Sequence, residues 1–187
     1  MAHRALVAYR RLPDAYALHY AHWGTGLADA IGPDAPFGGV RELADPARGV
    51  AERLGLDASG GYDPPPTRVD PRPLRRRATP EAVLSAVDPS VESLVVVDRD
   101  YRAQTYVVCP VGFGPADAPG DPGIVLAHPD GDPAALRELV VETRSALDAA
   151  VARVALTPDA ARAAFRRALA ARATVYPADD ASFLRAD

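Results

Sequence analysis

The sequence predicts an α+β fold: a mainly antiparallel sheet of about five strands, with two C-terminal helices packed on one face. Three observations carry this expectation. Apolar and aromatic residues alternate along Ala5, Val7, Tyr9 and again along Tyr16, Leu18, Tyr20, which is the period of a strand. Short β-prone runs recur over residues 93–97, 101–111 and 123–127, each bounded by turn residues. From Asp132 onward, Leu136, Leu139, Val140, Thr143, Leu147, Val151 and Val154 fall on one stripe at helical spacing.

The elements follow in order. Pro13-Asp14 supplies turn chemistry between the first two strands. A short helical turn is expected over residues 27–31, ended by Gly32-Pro33. Asp45, Pro46 and Gly55 suit the cap, first position and stop of a helix over 46–54. Residues 57–78 hold Gly60-Gly61, Pro64-Pro65-Pro66, Pro71, Pro73 and Arg75-Arg76-Arg77. Proline opposes both helix and interior strand, so this stretch reads as an extended arm or flexible loop. Thr79-Pro80-Glu81 opens a short helix to about residue 87. Asp98-Arg99-Asp100 turns a second hairpin, and 112–121 is a Gly/Pro loop. Thr157-Pro158 starts the second C-terminal helix, to about residue 173, with Ala161, Ala164, Phe165, Ala168 and Leu169 inward. The acidic tail from Tyr176 packs back or frays.

Length and composition bound the rest. A chain of 187 residues suits a single domain, and a domain of that size buries roughly 70% of its unfolded surface. It needs no disulfide, and its one cysteine, Cys109, forms none internally, as suits a reducing cytoplasm. No apolar run approaches a bilayer span, and the start MAHRAL lacks a signal-peptide core. A soluble cytoplasmic protein with no membrane partner is expected. All 21 basic residues are arginine, and Asp outnumbers Glu by 19 to 6. A GC-rich genome favours that usage; salt adaptation adds a reason for the missing lysine and the acidic surface.

Chemistry-bearing residues concentrate at the N-terminus. His3, His19, His22 and Trp23 hold three of the four histidines and the only tryptophan. If the hairpin turns between Leu12 and Pro13, His3 faces His22 at the strand end. Imidazoles about 5 Å apart are able to share a metal; a register slip of one residue breaks the pairing. Packing at a sheet end is the commoner role. There is no HExxH, CxxC, GxSxG, Walker or GxGxxG motif. Cys109 precedes Pro110 at a strand end, where a small buried residue is expected. Asp98 and Asp100 suit a turn. Arg75, Arg76 and Arg77 in the arm, and Arg162, Arg166 and Arg167 in the last helix, are candidates for nucleic-acid phosphates. A net charge of −4 opposes that role, and a solvated face is the default for such runs.

The runs His3-Arg4-Ala5-Leu6-Val7-Ala8-Tyr9, His19-Tyr20-x-His22-Trp23-Gly24 and Pro36-Phe37-Gly38-Gly39 resemble the opening of an uncharacterised protein family of halophilic archaea. Val96-Val97-Asp98-Arg99-Asp100-Tyr101 is similar to that family's central hairpin. Small bacterial and phage proteins open with a similar hairpin ending in a His-Trp-Asp-Gly-like turn; here Gly24 follows Trp23 directly. The resemblance implies a source and a coherent fold, and brings no activity, cofactor or catalytic residue.

The sequence therefore favours a non-enzymatic binding protein with no cofactor, its partner a protein or small molecule and its contact at His22-Trp23-Gly24, because tryptophan anchors are enriched at interfaces. The rival readings are a small metal-assisted hydrolase using His3 and His22, and a nucleic-acid-associated protein. Salt adaptation is testable by itself. The thermal midpoint should rise by several degrees or more between low salt and molar potassium chloride; a flat profile in a melting series leaves codon usage as the sole explanation.

Overall fold

The alternating N-terminal run folds into a β-hairpin in one half of a larger sheet. The computed structural model describes residues 4–24, 26–38, 68–113 and 123–185. Its elements are β1 (Ala5–Leu12), β2 (Ala15–Ala21), α1 (Leu27–Ala30), β3 (Arg75–Ala78), α2 (Pro80–Leu84), β4 (Ser93–Val97), β5 (Ala103–Pro110), β6 (Ile124–Pro129), α3 (Pro133–Ala152), α4 (Pro158–Ala170), β7 (Ala173–Pro177) and α5 (Ser182–Arg185). The sheet has seven strands in the order β3-β2-β1-β4-β5-β6-β7. Only the β1/β4 pair is parallel; every other neighbouring pair is antiparallel.

The class is as the sequence predicts, but the count of about five strands is too low. The two strands it misses are β3 and β7, one at each sheet edge. β3 contains the exposed Arg75, Arg76 and Arg77, and charged side chains are how edge strands resist further pairing. Part of the expected arm is thus a strand. Val69 also bridges to Ala21, and the Asp70 amide donates to the Tyr20 carbonyl at 2.8 Å. Residues 57–67 and the expected helix over 46–54 lie outside the described residues. β7 takes Thr174, Val175 and Tyr176, which shortens the expected last helix to Ala170. The tail packs back as α5, with Leu184 fully buried.

Both faces of the sheet are covered. On one face, Leu6, Ala8, Tyr16, Leu18, Leu94, Tyr106, Val108 and Leu126 meet Val83 and Leu84 of α2 and Leu184 of α5. The other face is divided. Val107, Cys109, Val125 and Ala127 pack against Leu136 and Val140 of α3 and Ala161, Phe165 and Leu169 of α4. Ala5, Val7, Tyr9, Ala17, Val95 and Val97 instead pack against Leu27 of α1, Ile31 and Val69. The two C-terminal helices therefore cover only the β5–β7 half of one face. Each fully buried Leu or Phe side chain contributes about 1.5–3 kcal/mol by leaving water.

Capping sets where the helices begin. Thr79, Asp132 and Thr157 each accept from a backbone amide of the first turn, and each is followed by proline at the first helical position. Such a cap contributes about 1 kcal/mol, and the fixed φ of proline suits the helix start.

α3 ends less comfortably. The Ala155 amide donates to the Ala150 carbonyl and the Val154 amide to the Val151 carbonyl. This is a Schellman closure, which places Val154 in the left-handed region at φ 59°. A β-branched residue there is an outlier, and Val154 is 91% exposed, so packing does not compensate. Val154→Gly should stabilise the protein by about 0.5–1 kcal/mol, the left-handed penalty less the entropy of an added glycine. Urea denaturation checks this; unchanged or reduced stability would show that the Val154 side chain makes a compensating contact.

Candidate functional site

The hairpin that carries the histidines is shifted from the expected register. Ala5 faces Ala21, Val7 faces His19 and Tyr9 faces Ala17. The turn residues are Pro13 and Asp14, between the paired Leu12 and Ala15, and the register shifts between Arg10 and Leu12. That irregularity leaves Arg11 as an extra residue in β1, a β-bulge. The expected opposition of His3 and His22 assumed a turn one half-step earlier and no bulge. Continued one residue outward, the observed register sets His22 across from Arg4. His3 itself lies outside the described residues.

The remaining candidates separate into a buried and an exposed set. His19 is only 3% exposed. Its Nδ1 lies 2.8 Å from the Asp70 carbonyl oxygen; a carbonyl only accepts, so Nδ1 carries the proton. Its ring packs against Tyr9 at 5.3 Å and Phe37 at 5.5 Å. Tyr9 in turn donates to the Pro36 carbonyl at 2.5 Å, and burial pushes its hydroxyl pKa up. His19 thus ties the 36–37 and 69–70 segments onto the hairpin.

His22 is exposed and Trp23 half-buried. Their rings meet edge-on, 5.4 Å apart. Tyr20, two residues before His22 and so on the same side of the strand, adds a third ring at 6.5 Å from His22. Three adjoining rings are presented at this end of the sheet. Tyr20 was not among the sequence candidates, although strand periodicity from His22 points to it.

His128, Asp98 and Arg162 make contacts within the fold. Among the described residues, no group of three or more His, Cys, Asp or Glu side chains is placed to hold a metal. His128 lies on β6 with Nδ1 3.2 Å from the Thr105 carbonyl oxygen and its ring 5.1 Å from Tyr106. Asp98 accepts the Asp100 and Arg102 amides at 2.8 Å, the expected turn chemistry. Arg162 pairs with Asp159 and donates to the Val111 carbonyl at 3.3 Å. Arg166 and Arg167 are exposed on α4, as Arg75, Arg76 and Arg77 are on β3.

Cys109 is fully buried, and burial pushes its thiol up to about 12. The thiolate fraction at pH 8 is then about one in ten thousand, and thiolate is the reactive form. An aromatic-disulfide thiol reagent should label native protein at least about a thousandfold more slowly than protein in denaturant. Rapid native labelling would show that the β5 core opens.

Among the described residues, no helix is long and apolar enough to cross a membrane. No curated protein and no solved structure matches this chain. Residues 1–177 do match one family, described as Family of unknown function (DUF6735), and the chain belongs to that family.

Proposed function

We propose that this chain is a non-enzymatic binding protein of a salt-adapted cytoplasm, and that it meets its partner through Tyr20, His22 and Trp23. The observation that carries the reading is the edge-to-face contact of these three rings at the end of the sheet, where His22 is exposed between the half-buried Tyr20 and the chain's only tryptophan, also half-buried. Rigid aromatic side chains with a polar tip lose little entropy on binding and dominate interface energetics. The lysine-free, Asp-rich composition supports the salt-adapted setting, and the single buried cysteine is compatible with a reducing compartment.

Two variants test the contact. His22→Ala removes an exposed ring and should change stability by no more than about 0.5 kcal/mol. Trp23→Ala should cost under about 2 kcal/mol, because the ring is only half-buried. Both should reduce capture of the same partner at least about tenfold when bait proteins are compared by quantitative mass spectrometry. A loss of about 3–5 kcal/mol in Trp23→Ala, the range for deleting a packed core aromatic, together with unchanged capture by His22→Ala, would assign the rings to the core. Metal that copurifies with wild type and is lost in His22→Ala would instead favour a metal site with His3.

A further inference from the structure

The sheet has one place where its strand order reverses direction, and the chain builds a cationic cleft there. β1 and β4 run parallel, with Tyr9 beside Val97 at their carboxyl ends. From that point β4 turns back into β5, while β1 runs on to Leu12, paired with β2 alone, before it turns. The end of β1 and the β4–β5 turn therefore border a crevice beyond the last parallel pair. Here the crevice is a cleft of about 150 Å³ lined by Tyr9, Arg10, Arg11, Asp98, Arg99 and Tyr101.

Two local irregularities shape this cleft. Arg11 is the extra residue of the β1 bulge; bulges re-aim a side chain out of the strand's alternation. Its guanidinium lies 6.0 Å from the centre of the Tyr9 ring. Tyr101 holds φ 61° in the β4–β5 turn. A bulky residue in the left-handed region is strained, and strain of this kind clusters at ligand sites. The turn is held by Asp98, whose Oδ1 accepts the Asp100 and Arg102 amides and whose carbonyl accepts the Tyr101 amide at 3.2 Å.

The charge of the cleft decides the ligand class. Three arginines line it against one carboxylate, in a chain of net charge −4. Arg10 is engaged by the Tyr16 hydroxyl at 3.2 Å and the Leu184 carbonyl at 2.7 Å, which fixes its position. Asp98 spends one carboxylate oxygen on its own turn. Asp14, on the neighbouring turn, lies 3.7 Å from Arg185. Arg11 and Arg99 make no ion pair among the described residues, and both are exposed. Planar guanidinium forks match phosphate geometry bidentately.

We infer that the cleft between the end of β1 and the β4–β5 turn binds the phosphate group of a small phosphorylated molecule, through the guanidinium groups of Arg11 and Arg99 and the hydroxyl of Tyr101. The cleft's size admits one anionic group, so the rest of the ligand lies outside it over the turns. The site is at the opposite end of the hairpin from Tyr20, His22 and Trp23 and does not depend on the role of those rings.

Isothermal titration of the full chain with inorganic phosphate, and separately with glycerol phosphate, tests the assignment at constant ionic strength. Saturable binding of one equivalent is expected for both. The Arg11→Gln/Arg99→Gln double variant should weaken it at least about tenfold, as befits the loss of charge-assisted bonds. Tyr101→Phe should weaken it by about three- to tenfold with the ring retained. Arg166→Gln, on α4 over the β5–β7 half of the sheet, should change affinity by less than about twofold. All four positions are at least partly exposed, and circular dichroism verifies that each variant is folded. Absence of saturation, equal isotherms for wild type and the double variant, or an equal response to chloride would overturn the assignment. Binding to a phosphopeptide or to an oligonucleotide alone, with neither small probe bound, would also overturn it.

Discussion

The parallel contact between β1 and β4 is the constraint on which the rest of the molecule depends. It alone joins two antiparallel units, β3-β2-β1 and β4-β5-β6-β7, into one sheet. The residues that make it are almost all closed off from water: Ala5, Val7, Ala8, Leu94, Val95 and Val97 have no exposed surface. Small and β-branched side chains permit this, because both faces are covered at the junction and neither strand alternates with solvent. β3 supplies the connection. It runs in the same direction as β1, and the chain returns from it through α2 to β4 on the far side of the hairpin. One helix on one face thus delivers β4 to its place beside β1.

Arginine performs much of the fastening that follows. Arg144 reaches from α3 to the carbonyls of Pro110 and Gly112 at 2.5 and 2.7 Å, and its guanidinium lies 4.9 Å from the centre of the Phe113 ring. Arg162 reaches from α4 to the carbonyl between them, that of Val111. Successive carbonyls leaving β5 are therefore satisfied by two helices rather than by another strand. On the opposite face, Arg10 and the Tyr16 hydroxyl both donate to the Leu184 carbonyl, and Arg185 pairs with Glu81. A lysine has no planar fork with which to bridge two carbonyls. The all-arginine usage, whatever its genomic origin, has been drawn into the architecture.

The sequence exposed local chemistry well and long-range pairing poorly. The three Thr-Pro and Asp-Pro caps, the Asp98 turn, the inward face of α4 and that of α3 as far as Val151 follow from residues near each other in the chain, whereas Val154, expected on the same stripe, lies beyond the helix and is exposed. The edge strands do not. β3 is short, arginine-rich and proline-flanked, and it is a strand only because β2 offers it a free edge. β7 was hidden at the end of an alanine-rich helix, although Thr174, Val175 and Tyr176 carry the β signal. The hairpin register depended on a single bulge at Arg11 that no periodicity announces. At the candidate site, the sequence groups His19 with His3, His22 and Trp23, and the structure separates His19 from His22. Their separation comes from Phe37 and Asp70, distant residues that bury one ring and leave the other in solvent.

The same topology explains why the molecule has two unlike ends. At the amino end of β1, the hairpin closes over Ala5 and Ala21, and the chain leaves β2 through His22, Trp23 and the buried Gly24. The exit is aromatic. At the carboxyl end, β1 runs past its last pairing with β4, beside the β4–β5 turn. There the chain places arginine and tyrosine, and it holds Tyr101 in a conformation that costs about 1–2 kcal/mol for a residue with a side chain. The Asp98 turn fixes that conformation with bonds that asparagine at the same position would make nearly as well. Glycine at 101 would relieve the strain without disturbing those bonds, yet it would leave the cleft without a wall. A side chain at this position also packs on the core: the half-buried Tyr101 ring lies against the cluster of Val7, Tyr9, Val95 and Val97, so the strained turn places one aromatic ring both on the core and at the wall of the cleft.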